Sequence, residues 1–304
     1  MNVYRNFATY LKEKYGTRVQ KISVNAGFTC PNRDGTKGLG GCIYCDNQTF
    51  SPDFTDYSID IKNQLEKGIQ YFSKKYPSQK YIAYFQNYTN TYAPLEVLKQ
   101  KYIQSLAIPN VVGIAISTRP DCIDEALLKF LAELNKQYEV FIELGVESTF
   151  DKTLSLLNRC HSYKDVEKAA KIINQYNIWT TIHLILGLPG ETMDDIKVHA
   201  HNINKLPIKA IKFHQLQVIK NTKLAQLYES KEVDVQPLCI DKYIDWVILF
   251  LEHLRTDIYI ERFTSESPND MVIAPHWGNI KNYHVVEMIR KKMNDLETFQ
   301  GRWV

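Results

Sequence analysis

The sequence predicts an α/β fold in which helices cover a parallel β-sheet. Six apolar runs alternate with segments that have the spacing of amphipathic helices. Most of the runs are apolar throughout, as expected for strands that are buried on both faces. The alternation fits an open doubly wound sheet and also a full or partial barrel, and both architectures have their chemistry at the carboxyl ends of the strands. The runs are 18–26, 80–86, 111–117, 140–146, 180–186 and 210–219.

The segments between the runs carry the start signals of helices. Pro94 stands at a helix start, where its missing N–H costs little. Hydrophobic residues within 123–131 recur at helical spacing and form one apolar face. Thr192 and Asp195 resemble a capping box that has Asp in place of the usual Glu. These signals support the strand–helix alternation.

The last part of the chain departs from this alternation. The 304 residues, 44% of them hydrophobic, suffice for one large domain or two small ones. Past the sixth run we expect a helix near 241–254, a strand-like segment at 257–263 and a last helix near 283–296. The sequence therefore predicts a core at 1–222, which includes an N-terminal helix, and a C-terminal extension at 223–304 packed on that core.

Net charge and targeting signals limit the partners and the cellular location that we expect for the protein. The net charge of +3 and the pI of about 8.3 permit a nucleic-acid partner without arguing for one. The first 16 residues lack the apolar segment of a signal peptide, and no run approaches the roughly 18 apolar residues of a membrane helix. We therefore expect a soluble cytoplasmic protein without a membrane partner, in which clustered cysteines are metal ligands or redox groups.

Half of the six cysteines lie in one glycine-rich loop. Cys30, Cys42 and Cys45 have the spacing C-x11-C-x2-C, and the loop directly follows the first run. Unreactive free cysteines are usually buried, and a thioredoxin-like dithiol would leave Cys30 idle. A structural zinc ion normally takes four ligands. The other candidate zinc ligands are distant in sequence, although they could approach in space: Cys122, Cys160 and His161.

An iron–sulfur cluster is the interpretation that uses all three cysteines of the loop. Cluster irons usually take one thiolate each, so three thiolates on four irons leave one iron open for a substrate or cofactor. Glycines allow the loop to wrap a cluster because they tolerate positive φ. Their N–H groups could also donate to the cluster sulfurs.

The segment "NAGFTCPNRDGTKGLGGCIYC" (25–45) resembles the cluster loop of radical S-adenosylmethionine (SAM) enzymes. It is most similar to the Elp3-related branch and its short members of the YhcC/YtqA type. The first gap is longer than in the commonest radical-SAM spacing, C-x3-C-x2-C, and that longer gap is typical of this branch. The resemblance extends to about residue 282. It implies a partial (βα)6 radical-SAM barrel with a C-terminal extension, in which Cys30, Cys42 and Cys45 hold a [4Fe–4S] cluster that binds SAM.

The resemblance also implies SAM contacts after the second and fifth runs. In "FQNYTNTYAP" the Gln-x-Tyr-Thr-Asn pattern takes the place of the Gly-Gly-Glu stretch that holds the SAM amino group in many radical-SAM enzymes. An ordinary polar turn is the alternative. The turn "LGLPGET" is similar to the stretch that packs against adenine. The candidates are Gln86, Thr89, Asn90, Gly187 and Gly190.

Further candidates follow the fourth run and lie in the sixth. Glu143 and Glu147 are four residues apart on one strand, so they should face the same side, and the resemblance implies contact with the SAM ribose or methionine. Arg159 could hold the SAM carboxylate, and the family usually has glycine where Cys160 stands. His214 is expected to cover adenine, although a histidine in a strand is more often a packing residue.

The branch resemblance implies a substrate and partners. Members related to Elp3 build the C5 side chain of wobble uridine in tRNA, but this chain has no room for their acetyltransferase domain. We therefore expect a remodelling of an existing side chain on uridine 34, such as a carboxymethylaminomethyl group, with flavodoxin or ferredoxin as electron donor and a methyltransferase acting downstream. The alternatives are a radical-SAM enzyme acting on a protein or small metabolite, and a non-catalytic zinc or RNA-binding module. Basic residues considered for tRNA contact are Lys74, Lys75, Lys80, Lys281, Arg290, Lys291 and Lys292.

Overall fold

The computed structural model describes residues 3–46, 52, 54–76, 78–278 and 280–304. Its centre is a sheet of seven strands in which every neighbouring pair is parallel. The six predicted runs form the first six strands of this sheet. The strands, in chain order with the two short strands of a second sheet, are β1 Arg18–Val24, β2 Gln79–Phe85, β3 Val111–Thr118, β4 Glu139–Glu147, β5 Trp179–Leu186, β6 Ala210–Gln215, β7 Val218–Ile219, β8 Tyr259–Arg262 and β9 Val272–Ala274.

Helices cover the outer face of the sheet. Their N-terminal signals act as the sequence predicts: Pro94 directly precedes a helix, and Thr192 and Asp195 form a capping box in which each side chain bonds the other's backbone N–H. The helices are α1 Phe7–Tyr15, α2 Ile61–Ser73, α3 Leu95–Leu106, α4 Glu125–Leu134, α5 Asp151–Leu156, α6 Tyr163–Gln175, α7 Met193–Asn204, α8 Lys223–Glu229, α9 Ile240–Glu252 and α10 Asn282–Asp295.

The sheet curls into an incomplete barrel. Its strand order is β1-β2-β3-β4-β5-β6-β8, so β1 and β8 are the two edges. Lys21 on β1 nevertheless forms an ion pair with Glu261 on β8, across the interior. Two edge strands that are not paired can meet through their side chains only if the sheet bends round. The predicted partial barrel is therefore confirmed.

The C-terminal segment contributes more to the barrel than the sequence predicts. Its strand-like run becomes β8, a seventh strand that pairs in parallel with β6. The predicted sixth run also divides, because its last two residues leave the barrel and pair antiparallel with β9. The tail thus adds a strand to the core sheet, and the division into 1–222 and 223–304 stays a prediction.

Helix α1 closes the amino-terminal end of the barrel interior. Phe7 and Leu11 are buried and pack against Phe141 of β4 and other inward-facing residues of β2 and β3. The Phe7 ring meets Phe141 edge-on at 5.7 Å and Trp179 at 5.4 Å. An apolar plug at this end leaves the carboxyl end of the strands as the open mouth. None of the helices in the described part of the chain is long and apolar enough to cross a membrane.

The plug should be a major source of stability. Phe7→Ala removes a buried aromatic ring and is expected to lower the free energy of unfolding by about 3–5 kcal/mol in urea denaturation. Tyr71→Ala is the matched control, because that ring is 65% exposed and its loss should change stability by only about 0.5 kcal/mol. Equal effects of the two substitutions would contradict the packing described for α1.

Candidate active site

The three cysteines of the loop lie at the mouth of the barrel, directly after β1. The turn that carries two of them is short, with the N–H of Cys45 donating to the carbonyl of Cys42 at 3.0 Å. Ile43, between them, is held from both sides: its N–H donates to Leu157 at 3.1 Å, and its carbonyl accepts from Leu224 at 2.7 Å. The loop is therefore anchored to the segments that follow β4 and β7.

Two arginines and an asparagine contact the sulfur of Cys42 or the carbonyl of Cys45. Arg159 Nη1 lies 3.3 Å from Cys42 Sγ, and Asn32 Nδ2 lies 3.6 Å from the same sulfur. Arg33 Nη2 donates to the carbonyl of Cys45 at 2.9 Å. Burial, with Cys42 nearby, raises the pKa of the Cys45 thiol to about 11 even though Arg33 and Arg159 oppose the shift. The Cys45 thiol therefore needs a bound metal to become a thiolate, and soft thiolates beside fixed cations are a suitable donor set for an iron–sulfur cluster.

The described residues contain no group of three or more His, Cys, Asp or Glu side chains arranged to hold a single metal ion. A four-iron cluster binds its thiolates on separate irons, so it does not need them to converge on one point.

Arg159 is the predicted residue with the most contacts to the loop. It is buried, and its Nη2 donates to the carbonyl of Gly145 at 2.5 Å and lies 3.6 Å from Glu147 Oε1. Burial lowers the pKa of Arg159, but Tyr44, Cys42 and Glu147 outweigh that effect and keep the guanidinium charged. Its charge in turn adds to burial in lowering the pKa of His161 to about 3. Arg159 thus connects the end of β4 to the three-cysteine loop.

The end of β4 is shaped around this arginine. A bulge interrupts the pairing with β5 between Gly145 and Glu147, and Glu147 has a left-handed backbone with φ of 65°. A Cβ at Gly145 would lie 2.8 Å from Glu147 Oε1 and 2.9 Å from Arg159 Nη2, so a side chain there would displace the ends of these two side chains. Cys160 also has positive φ, 53°, which is a physical reason for the glycine that the family usually has at its position.

Glu143 and Glu147 have different surroundings. The Glu143 carboxylate is fully buried and contacts Lys21 Nζ at 2.6 Å, Lys212 Nζ at 2.5 Å and His183 Nε2 at 2.8 Å. Burial alone would raise the pKa of Glu143, but these three partners hold it well below its usual range. Glu143 is therefore held in a charged layer across the barrel interior, whereas Glu147 faces Arg159.

We call this charged layer the interior ion layer and define it as Lys21, Glu143, His183, Lys212 and Glu261. Besides its contacts with Glu143, Lys212 lies 3.0 Å from Glu261, and Lys21 also pairs with Glu261. Of these five residues, only Glu143 was predicted from the sequence as a site residue. The sequence signal for the other members of the layer was the presence of charged residues within otherwise apolar strands, because charges are seldom buried without partners.

Of the three candidates after β2, Asn90 has a structural role, whereas Thr89 and Gln86 keep polar groups that are available to a ligand. Asn90 donates to the carbonyls of Phe85, Asn87 and Ser117, each at 3.0 Å, and so fixes the turn. Thr89 is buried with its backbone N–H bonded to Thr29, the residue before Cys30, and its hydroxyl has no hydrogen-bond partner among the described residues. Gln86 accepts from the Ser23 hydroxyl at 2.7 Å.

The candidates on β5 and β6 also lie at the mouth. Gly187 and Gly190 have φ of 88° and 79°, which glycine adopts without strain, and they form the turn between β5 and α7. His214 is half-buried, and its ring lies 5.2 Å from that of His183. Burial holds the pKa of His214 well below its usual range, so the ring is neutral.

Arg119, which follows β3, forms an ion pair. Its Nε and Nη2 donate to the two carboxylate oxygens of Asp121 at 2.9 and 3.0 Å.

Two cavities lie at opposite ends of the barrel. One of about 230 Å³ adjoins the carboxyl ends of β6 and β8, with Gln217, Ser267 and Trp277 in its lining. A groove of about 780 Å³ lies at the amino-terminal end, between α1 and the last residues of the chain. The smaller cavity is the one on the side of the cysteines, where parallel sheets have their chemistry.

Several of the basic residues considered for tRNA contact lie on the amino-terminal side of the barrel, away from the cysteines, and their contact with tRNA stays a prediction. Lys80 is at the beginning of β2, and Lys74 and Lys75 follow the end of α2, which returns to that amino-terminal side. The C-terminal part of α10 lines the amino-terminal groove. Lys281 lines the cavity at the mouth, where it pairs with Glu266 at 3.3 Å.

Comparisons with known proteins agree with this geometry. The family model described as "Radical SAM superfamily" matches residues 27–203, and the model "Radical_SAM C-terminal domain" matches 208–295. Protein YtqA of Bacillus subtilis is 34% identical over 99% of this chain and 92% of its own length. Protein YhcC of Escherichia coli is 31% identical over 93% and 90%. A tRNA uridine(34) acetyltransferase of Methanocaldococcus infernus is 29% identical over 43% of this chain and 24% of its own length.

Solved structures share the fold. The archaeal Methanocaldococcus infernus Elp3 with an N-terminal deletion superposes with a TM-score of 0.70 at 18% identity, covering 93% of this chain and 64% of the other. Streptococcus suis SuiB bound to S-adenosylmethionine superposes with a TM-score of 0.52 at 10% identity, covering 85% and 54%.

The interior ion layer predicts a specific pH dependence. Glu143→Gln leaves two lysines with one carboxylate and should lower the free energy of unfolding by about 3–5 kcal/mol at pH 7. The folded-state pKa of Glu143 is depressed, so its stabilisation is present above the unfolded value of about 4.3 and is lost as the pH falls below it. The difference between wild type and variant in urea denaturation should therefore shrink below about pH 4.3.

Glu96→Gln is the control for this experiment, since Glu96 is an exposed partner of Lys99 and should change stability little at any pH. A difference between wild type and Glu143→Gln that stays constant down to pH 3 would contradict the assigned ion pairs.

Proposed function

The chain belongs to the radical SAM superfamily, whose members bind a [4Fe–4S] cluster and SAM, and from this premise we propose that Cys30, Cys42 and Cys45 hold the cluster. The observation that carries the assignment is the three-thiol loop at the barrel mouth with Arg159 against Cys42. When bound, the cluster and SAM supply a one-electron cleavage of SAM and a radical that abstracts hydrogen from the substrate. The protein binds and orients these groups and excludes water from them.

The surrounding residues have complementary roles in this proposal. The buried Thr89 hydroxyl, which has no partner among the described residues, and Gln86 are available to the amino group of SAM. Arg159 and Glu147 bring a cation and a carboxylate beside Cys42 and would hold the methionine and ribose parts of SAM. The backbone of Gly187 and Gly190 would allow adenine to approach closely, and His214 would contact its ring. Asn90 and Glu143 act on these groups by fixing the turn and the strands that carry them.

Cluster assembly should depend on the loop cysteines alone. Cys42→Ala is expected to lose iron and labile sulfide and to reduce dithionite-driven SAM cleavage to background, because it removes a ligand. Cys239→Ala is the matched control, since Cys239 is exposed and lies outside the loop. Iron and sulfide analysis of anaerobically purified proteins measures this. SAM cleavage retained by Cys42→Ala would show that the cluster has been assigned to the wrong ligands.

We further propose that the substrate is the C5 side chain of wobble uridine 34 in tRNA, for example a carboxymethylaminomethyl group. Similarity over 43% of the chain to a tRNA uridine(34) acetyltransferase supports this substrate class. So does the small polar cavity at the mouth, which at about 230 Å³ is smaller than the 300–1,000 Å³ of most ligand pockets and suits one group of a larger molecule. Exposed lysines follow the strand ends on this side and suit phosphate contacts: Lys152, Lys220 and Lys223.

Loss of the protein should alter tRNA nucleosides. In a strain that lacks it, mass spectrometry of digested tRNA is expected to reveal accumulation of an unprocessed C5-substituted uridine and loss of its product. Complementation with the wild-type chain should restore the profile, and the Cys42→Ala variant should not. An unchanged set of modified uridines would rule out the proposed substrate while leaving the cluster assignment intact.

A further inference from the structure

A cation without a carboxylate partner faces the barrel interior beside the interior ion layer. Arg262, the last residue of β8, has its Nη2 3.2 Å from His214 Nε2 and 3.4 Å from His214 Nδ1, so the guanidinium lies against the imidazole ring. Within the described part of the chain its polar contacts are with His214, a neutral base. Its Nε atom is buried and has no hydrogen-bond partner there.

A buried donor without a partner calls for an explanation, because nearly all such groups are satisfied in folded proteins. The charges of the region point to the missing partner. Lys21, Lys212 and Arg262 are three cations, whereas Glu143 and Glu261 are two carboxylates. Among the lysine, arginine and glutamate side chains of this region there is thus one more cation than there are carboxylates. A low-dielectric interior favours an anion that neutralises this charge.

Arg262 and His214 lie towards the mouth of the barrel. His214 follows Lys212 by two residues on β6, and Arg262 is the last residue of β8. Both side chains are half-buried, as are Lys21, His183 and Glu261, whereas Glu143 and Lys212 are buried. A guanidinium presents parallel N–H groups that match the two oxygens of a carboxylate.

We propose that Arg262, lying against His214, binds a carboxylate of the substrate. The single excess charge suits a carboxylate better than a phosphate monoester, which carries about −1.5 to −2 at neutral pH. A neighbouring acceptor, Glu261 Oε2, is also buried without a partner among the described residues. A donor and an acceptor on consecutive residues suit a group that carries both a carboxylate and an N–H. This inference rests on the proposed function and narrows its substrate to uridines whose C5 side chain ends in a carboxylate.

The test compares two anticodon stem-loop RNAs that differ in one functional group. One carries carboxymethylaminomethyl-uridine at the wobble position, and the other carries the primary amide of the same side chain. Their phosphates are identical, so a difference in affinity reports the carboxylate alone. Binding is measured at fixed salt with anaerobic holoprotein and SAM but without reductant, so that no turnover occurs.

Wild-type protein is expected to bind the carboxylate RNA about tenfold more tightly or better than the amide RNA, as for a charged hydrogen-bonded pair. Arg262→Gln should remove this preference while leaving affinity for the amide RNA unchanged, which also shows that the variant is folded. Arg262→Lys should keep part of the preference, because it retains the charge without the fork. Arg302→Gln, a substitution of an exposed arginine at the C-terminus, should keep all of it.

Equal binding of both RNAs by wild type would overturn the carboxylate site. So would an equal loss of both in Arg262→Gln, which would assign Arg262 to a backbone phosphate or to the fold. Both results leave the uridine substrate standing. Binding of neither RNA by wild-type protein would instead contradict the proposed uridine substrate, and the carboxylate site with it.

Discussion

The contact between the Arg159 guanidinium and the three-cysteine loop is the interaction on which the mouth of the barrel depends. The loop follows β1 and the arginine follows β4, so their contact joins the ends of two strands that are not neighbours in the sheet. Arg159 reaches Cys42 Sγ, the Gly145 carbonyl and the Glu147 carboxylate at 3.3, 2.5 and 3.6 Å. A charged fork buried among these partners fixes the loop relative to the strands. The cysteines of the glycine-rich loop are thereby held in a fixed position relative to the barrel strands.

The barrel interior has three levels with different physical roles. At the amino-terminal end, Phe7 and its aromatic neighbours form an apolar plug. The interior ion layer follows, and there Glu143 is paired with Lys21, Lys212 and His183. At the mouth lie the cysteine loop, the end of β4 and the half-buried pair of His214 and Arg262. The Glu143 carboxylate in the middle has three charged or polar partners, whereas Arg262 nearer the mouth keeps an Nε without a partner among the described residues.

The sequence was informative where the determinants are local. The strands, the capping box at Thr192 and the cysteine spacing all depend on residues close together in the chain, and the first six strands and the family were predicted correctly. The ion pairs of Glu143 are formed instead with Lys21 and Lys212, which are 122 and 69 residues away in the chain. The spacing of residues alone therefore did not reveal the interior ion layer. The seventh strand was assigned to an extension because β8 pairs with β6 only after two intervening helices, α8 and α9. The bulge at Gly145 adjoins Arg159, which is 14 residues away in the chain, so strand patterning alone did not predict it.

The central claim is that three thiolates leave one iron of the cluster open for SAM. Electron paramagnetic resonance of the anaerobic, dithionite-reduced protein tests it most directly, recorded with and without SAM. The account predicts the spectrum of a reduced [4Fe–4S] cluster whose g-values change when SAM is added, because SAM becomes a ligand of that iron. A reduced cluster whose spectrum is indifferent to SAM, or protein without a paramagnetic cluster, would contradict the account.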